Sequence, residues 1–564
     1  MHVRNAFVCV SVAAIAAAVA PLHPTAQQRP VETFRSGREV LTINASVQDA
    51  NGRPLTDLQP SDFTVRVDGE PRRVLLTHLF LTDAGHMTND DVVPSPRFIR
   101  SADASPGRLV MFAIDRTSIR PGSEKAVIET AAKMIGALSP ADAVGAIGLP
   151  VGGIELTRDH AAVADAIGKM SGTAPGPGWQ HQLSWEEALA IEREGQGYPA
   201  GDDLRRAPTL ARVLQRECPK TKQRPLDLPD ECPPELIRQA SEMLIVGRGH
   251  AQTVLQGIID VMGRLGSLRA PKHLILISGG IPFDLEILSR YQELAAKAAQ
   301  AHVALFVVAL DQPSFDASDR GRFGNVFGGR EYTEGLGNIA ASTGGTLFQG
   351  VGRATGAFDR IVTEINYFYQ LGVESHPSDA NGKSHRIEVT VNRPNAHVRA
   401  PAATIVAPPP RAVASGETIA KALAEPTDIA ELPFEVATYV THSSDLAKVR
   451  VMVSAAVSDG ARPAEWGYVI LDGAKVVGSN RSQVDPSSAL PWSATASVEI
   501  PPGRYRLRTA IADADGRVGT LEIPFAAGLR VAGSIHASDL MVGAVADGRL
   551  LPRARMLQAS AGSR

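Results

Sequence analysis

The chain predicts an α/β doubly wound, mostly parallel sheet of Rossmann type, flanked by N-terminal and C-terminal all-β modules. Three observations predict it. The runs Arg108-Leu-Val-Met-Phe-Ala-Ile-Asp115 and Lys272-His-Leu-Ile-Leu-Ile-Ser278 are almost wholly apolar and end on small polar residues. Buried parallel strands read this way. Around them strands alternate with helical patterns, which specifies a doubly wound sheet. On either side, residues 34–82 and 431–530 switch to the two-residue period of half-buried strands.

With 564 residues, the chain is long enough for three or more domains. Its 44% hydrophobic and 21% charged content is that of a globular protein. A net charge of −3 offers no basic surface to nucleic acid. Residues 1–26 read as a signal peptide: a basic start at Arg4, an apolar run from Ala6 to Ala20, and small residues ending at Ala26. A membrane anchor is the alternative, but the run is short against the roughly 20 residues of a span. Cleavage would leave no membrane span and an exported protein, periplasmic or extracellular. It would also leave two cysteines, Cys218 and Cys232, which predict a disulfide. Free thiols and a metal site are the alternatives.

In chain order, the N-terminal β unit (34–82) alternates from Val40 to Gln48, turns at Asn51-Gly52, and continues through Phe63–Val67 to Asp68-Gly69. Asn-Gly and Asp-Gly between alternating runs are hairpin signals. The α/β domain (105–355) begins with the strand ending at Asp115. A helix from Ser123 to Leu138 follows, then strands at 142–148 and 154–156, and a helix from about Asp159. Its later units are a helix at 252–265, strand 273–277, helix 285–301, strand 303–309, helix 333–342 and strand 346–348. Residues 172–245 break the rhythm as a Gly/Pro/Trp-rich insertion holding both cysteines. Ser184 and Glu187 make a capping box in it. Strands in 356–406 close the domain. Residues 407–430 are a Pro/Ala-rich linker. Residues 431–530 predict a β-sandwich-like domain, and 545–564 a flexible tail.

Four stretches resemble a secreted bacterial von Willebrand factor type A (VWFA)-related family described from acidobacteria. They are the leader from Val47 to Gly69, the strand ending at Asp115, the turn Leu336-Gly-Asn-Ile-Ala-Ala-Ser-Thr-Gly-Gly-Thr-Leu-Phe348, and the strands Tyr367–Val373 and Arg386–Val391. The resemblance covers residues 34–406 and implies a metal-ion-dependent adhesion site. Such a site holds Mg2+ through an Asp-x-Ser-x-Ser loop and a later Thr and Asp. Mg2+ demands octahedral oxygen ligands and gives up water reluctantly. Asp115, Thr117 and Ser278 match the site. Ile119 stands at its third position, Gly279 where the later Asp is common, and Arg248 and His250 near the expected Thr. The site therefore reads as degenerate, with Asp115 held by hydrogen bonds to nearby backbone and no cofactor; Mg2+ is the alternative. Thr253 reads as a first-turn helix residue. Ser118 and Asp284 form a possible partner-binding edge, and Glu286 reads as a solvated charge.

No catalytic constellation stands out. The Gly-x-Ser-x-Gly elbow and HExxH are absent. His376 and His385 read as surface histidines, and Gly321–Gly324 as a flexible loop without the context of a phosphate loop. The expected function is an exported, non-enzymatic protein–protein interaction protein with an unknown protein partner. The alternative is an envelope enzyme or protease-associated factor using 172–245 as a lid.

Overall fold

The computed structural model describes residues 40–81, 97–101, 107–150, 152–174, 179–194, 207–218, 231–311, 330–376, 378–405, 417–457, 462–485, 488, 492–514, 516–541, 543–546 and 549–552. The expected signal peptide, the Gly321–Gly324 loop and residues 407–416 of the expected linker lie outside them.

The described residues open with β1 (Val40–Gln48), β2 (Phe63–Val67), β3 (Glu70–Arg72) and β4 (Val74–Leu81). Leu41, Ile43, Ala45 and Val47 are buried along one face of β1, as its period requires. Asp68 and Gly69 turn β2 into β3 with φ of 53° and 82°. A two-residue hairpin turn with both angles positive matches the twist of the strands it joins. A short strand, β5 (Arg97–Arg100), follows.

The α/β unit comprises β6 (Leu109–Asp115), α1 (Lys125–Ala137), β7 (Ala143–Leu149), β8 (Gly153–Thr157) and α2 (His160–Gly168). Then come α3 (Trp185–Glu194), α4 (Pro208–Glu217) and α5 (Cys232–Gly266). It ends with β9 (Lys272–Ser278), α6 (Leu288–Ala301), β10 (Val303–Leu310), α7 (Arg330–Thr343), β11 (Thr346–Gly350) and α8 (Thr355–Asn366). The six strands form one mixed sheet in the order β11-β10-β9-β6-β7-β8. All neighbours are parallel except β8, which runs antiparallel to β7.

Period two explains why the runs Leu109–Ile114 of β6 and Leu274–Ile277 of β9 are apolar throughout. Met111, Ala113, Leu274 and Leu276 face α5, α6 and α7, while Val110, Phe112, Ile114, Ile275 and Ile277 face α1, α2 and α8. Both faces are covered along these runs, so the polar residues Lys272, His273, Ser278 and Asp115 fall toward the strand ends. The run starts at Arg108, itself buried. Its guanidinium donates to Asp142 Oδ1 at 2.9 Å, to the Ile365 carbonyl at 2.8 Å and to Asn366 Oδ1 at 2.7 Å.

The helix expected at 252–265 in fact begins at Cys232 and runs 35 residues. The interruption in its apolar pattern is small residues, not a break. Leu236, Ala240, Met243, Leu244, Gly247 and Ala251 keep a buried stripe at three- and four-residue spacing. Gly247 is needed there, because a Cβ would overlap the six-membered ring of Trp185.

Strands β12 (Tyr367–Glu374), β13 (Ser384–Val391), β14 (His397–Arg399) and β15 (Ala403–Ile405) complete the first β module. Its two sheets are β14-β1-β12-β4 and β15-β13-β2-β3. Leu41 lies opposite Val373, and Val65 opposite Val389, so segments more than 300 residues apart share one core with Tyr369 and Ile387.

Inside the expected linker lies α9 (Glu417–Ala424), with Ile419 and Ala422 buried against Ala510, Ala512 and Val518. Its Ala-rich composition serves a helix here rather than a spacer. The strands β16 (Glu435–His442), β17 (Val449–Ala456), β18 (Pro463–Asp472), β19 (Lys475–Gln483), β20 (Ser493–Ile500), β21 (Gly503–Asp513) and β22 (Val518–Ala527) follow. Their sheets are β20-β17-β16-β5 and β19-β18-β21-β22. The C-terminal β region is thus not closed within 431–530: Phe98 and Ile99 of β5 pair with Ala437 and Val436. The tail expected to be flexible from 545 carries a further hairpin. After β23 (Arg530–Ala532) and β24 (Ile535–Ala537), β25 (Gly543–Ala546) pairs with β26 (Arg549–Pro552). Among the described residues, no helix is long and apolar enough to cross a membrane.

Candidate functional site

Within the six-stranded sheet, strand order reverses between β6 and β9. Ligands of open α/β sheets bind outside the carboxyl ends of strands at such a point. Asp115 ends β6 and Ser278 ends β9, so the register brings them side by side. Beyond Asp115 the chain tightens into a short turn, Arg116–Ser118, which Asp115 caps through the Ser118 amide at 3.3 Å.

Every hydroxyl expected at the site converges on Asp115. Thr117 donates to Oδ1 and Ser278 to Oδ2, each at 2.8 Å. Ser118 Oγ lies 3.1 Å from the Asp115 carbonyl and 3.2 Å from Ser278 Oγ, and accepts from the Gly279 amide at 2.8 Å. The largest contribution comes from α5. His250 Nε2 lies 3.2 Å from both Oδ1 and Oδ2 of Asp115. A carboxylate only accepts, so this nitrogen carries the proton. Asp115 is therefore held chiefly by side chains, not by backbone donors as expected.

Asp115, Ser118 and Ser278 have no exposed surface, and His250 has 9%. Burial pushes the Asp115 carboxyl up, but the charge of His250 and the hydrogen bonds of His250, Ser118 and Ser278 outweigh it. The carboxyl stays below its ordinary range and the site is a buried Asp–His pair. A carboxylate has about four lone-pair positions; Thr117, the Ser118 amide, Ser278 and His250 use them. The donor set does not fit a divalent cation, because a protonated nitrogen points where the ion would sit. Among the described residues, no group of three or more His, Cys, Asp or Glu is placed to hold a metal. Ile119 does not line the site at all; it is buried in the core with Val127 and Val163.

A second layer closes the edge. Arg248, two residues before His250, grips both oxygens of Glu192 at 2.9 and 2.8 Å. It also donates to Asp284 Oδ2 at 2.8 Å. Asp284 Oδ1 accepts from the amides of Glu286 and Ile287. The hydrogen bonds of Glu192 hold Arg248 charged against the opposing effect of burial. One guanidinium thus ties α3, α5 and the turn after β9 together. Trp185 on α3 adds a bond from Nε1 to the Phe283 carbonyl at 3.2 Å and packs beside Tyr332 of α7.

The insertion is therefore a helical cap rather than a loop. Trp185, Ile191, Leu210, Val213, Leu236 and Leu244 form its own core. The Cys218–Cys232 disulfide, with Cα atoms 5.8 Å apart, fastens the end of α4 to the start of α5. The cap corrects the expected partner edge: Ser118 is wholly buried and Asp284 is 7% exposed, so neither presents a side chain to solvent. Glu286 remains exposed. Thr253 sits in mid-helix, bonded to the Gly249 carbonyl at 2.8 Å, not in a first turn. His376 is exposed. His385 is not a surface residue: it is 7% exposed and bonds Asp68 Oδ2 at 2.7 Å, bracing the β2–β3 turn. Sequence reasoning missed Glu192 and Trp185, which carry no local signal of a contact so distant along the chain.

No family model matches the chain, and no curated protein matches it. Among solved structures, it is similar to the human COPII-coat protein Sec24c at 11% identity, covering 80% of this chain and 46% of that one. The chain thus spans less than half the length of that structure, and the TM-score of 0.21 is too low for the likeness to carry an argument.

Proposed function

We propose that the chain is an exported, non-enzymatic protein-binding protein whose α/β unit is of the von Willebrand factor A type and has lost its adhesion metal. The strand order and the position of Asp115 at the reversal point support the family reading. The observation that carries the function is what the helical cap does to the carboxyl edge. It consumes the polar groups in internal pairs and offers apolar side chains outside them. Leu285 is 82% and Ile245 69% exposed, on the two elements that Arg248 joins. Apolar exposure beside a polar site whose groups are engaged in internal pairs suits a partner surface.

In this reading His250 is a permanent, built-in substitute for the cation that related domains bind. Recognition needs no metal and proceeds through the cap. The experiment is capture of partners from envelope extract on the immobilised full chain, with and without chelator, repeated with Leu285→Asp/Ile245→Asp. One protein retained in chelator and lost in the double variant is the expected result. Retention only without chelator, or turnover of an envelope substrate that requires Asp115, contradicts the proposal.

A further inference from the structure

The C-terminal β region meets the α/β unit at the amino edge of the six-stranded sheet, the edge opposite Asp115. Arg158 marks the place, for it follows β8, whose Thr157 pairs with Val144 near the start of β7. Its guanidinium makes three contacts. Nε donates to the Pro426 carbonyl at 3.2 Å, Nη1 lies 3.3 Å from Glu522 Oε1, and Nη2 lies 3.5 Å from Asp428 Oδ1. Arg269 adds Glu431 Oε2 at 2.6 Å, but both side chains of that pair are 42% exposed, and such pairs contribute little. The segment from Glu425 to Glu431 belongs with the strands beyond it. Ile429 donates to Thr520 Oγ1 at 2.7 Å and accepts from the Thr520 amide at 2.8 Å, and Arg508 donates to the Thr427 carbonyl at 2.9 Å.

Two features set this joint apart from a core. Among the described residues, no buried apolar cluster spans it. The clusters of the α/β unit end at Ile365, and those of the C-terminal region draw on Ile99 and residues 419–529. The polar atoms of the joint are also incompletely matched. Glu425 Oε2, Thr427 Oγ1 and Arg508 Nε are buried without a hydrogen-bond partner among the described residues, and Arg158 Nη2 meets Asp428 Oδ1 as an ion pair without a hydrogen bond. Unmatched buried polar atoms cost stability. A polar contact between two separately cored parts leaves relative motion as the default. We infer that the joint is a latch: Arg158 holds the C-terminal β region against the amino edge of the sheet, and on release the region swings away with both cores intact. The cap and the Asp115–His250 pair lie at the other edge, so the latch works whatever the cap binds.

Small-angle X-ray scattering of the full chain reads the two positions. Removing Arg158 alone would leave Glu522 with Arg506 and Arg508 but strand Asp428 as a buried charge. The variant is therefore Arg158→Met with Asp428→Asn. Its radius of gyration should exceed the parent's, while far-UV circular dichroism is unchanged and amide exchange in β6 and β21 stays as slow. A second arm uses the parent itself and decides alone should the variant fail to fold. In rising urea, the parent's radius should grow before its circular dichroism changes. A folded variant that scatters like the parent overturns the inference. So does a parent whose expansion coincides with its loss of circular dichroism, because the two parts would then unfold as one.

Discussion

His250 Nε2 is equidistant, at 3.2 Å, from the two carboxylate oxygens of Asp115. That relationship joins the middle of a 35-residue helix to the end of the strand beside the reversal point. It turns what would be an open charged site into a closed pair.

The fit of Trp185 against Gly247 gives the first prediction. Gly247→Ala gains about 1 kcal/mol of helix propensity. The added methyl meets a ring that is 2% exposed and tied to the Phe283 carbonyl, so it cannot swing aside. Overpacking of this kind costs about 1–3 kcal/mol and wins. Chemical denaturation should show a net loss of stability; a gain would mean that the cap shifts freely on the sheet.

Reduction of the disulfide should loosen the cap and leave the sheet intact. The bond closes a short loop, and its loss costs about 3 kcal/mol on chain-entropy grounds. Hydrogen exchange should accelerate in α4 and the first half of α5, with β6 and β9 still protected. Equal exchange in the oxidised and reduced protein would contradict a bracing role.

His273 makes the fold acid-sensitive. It is buried between Phe306 and Phe368, and neither ring nitrogen has a hydrogen-bond partner. Burial, helped by the charge of Arg108, pushes its pKa from 6.5 down to about 3. The folded state holds it neutral while the unfolded chain takes up a proton below 6.5. Its contribution is therefore complete above pH 6.5 and is lost as pH falls toward 3, at up to about 1.4 kcal/mol per pH unit. His273→Phe should flatten the pH dependence of the denaturation midpoint in that window. An unchanged slope would place the acid sensitivity elsewhere.

What the sequence made legible follows from the range of each signal. β6 and β9 were readable because burial on both faces forces continuous apolar runs. Asp115 and Ser278 were readable because the strands stop there. Arg248 and His250 were visible as cations in the wrong place for a metal. The Asp68-Gly69 hairpin was a two-residue signal. By contrast, β5 joins a sheet more than 330 residues away, and the four residues Arg97–Arg100 show no period long enough to announce it. The first half of α5 was obscured by Gly247 and Gly249 and by exposed Ile245 and Val246; of these, Gly247 answers to the contact with Trp185 of α3. The burial of Ser118 and Asp284 depended on where the cap folds back, which local pattern does not encode.

The central claim is that His250 occupies the position of a cation on Asp115. Calorimetric titration of the purified full chain with Mg2+ and Mn2+ tests it most directly. The account predicts no stoichiometric binding to the native protein. Tight, stoichiometric binding that disappears in Asp115→Ala would contradict it, because His250 would then have to leave the carboxylate whenever a metal arrives.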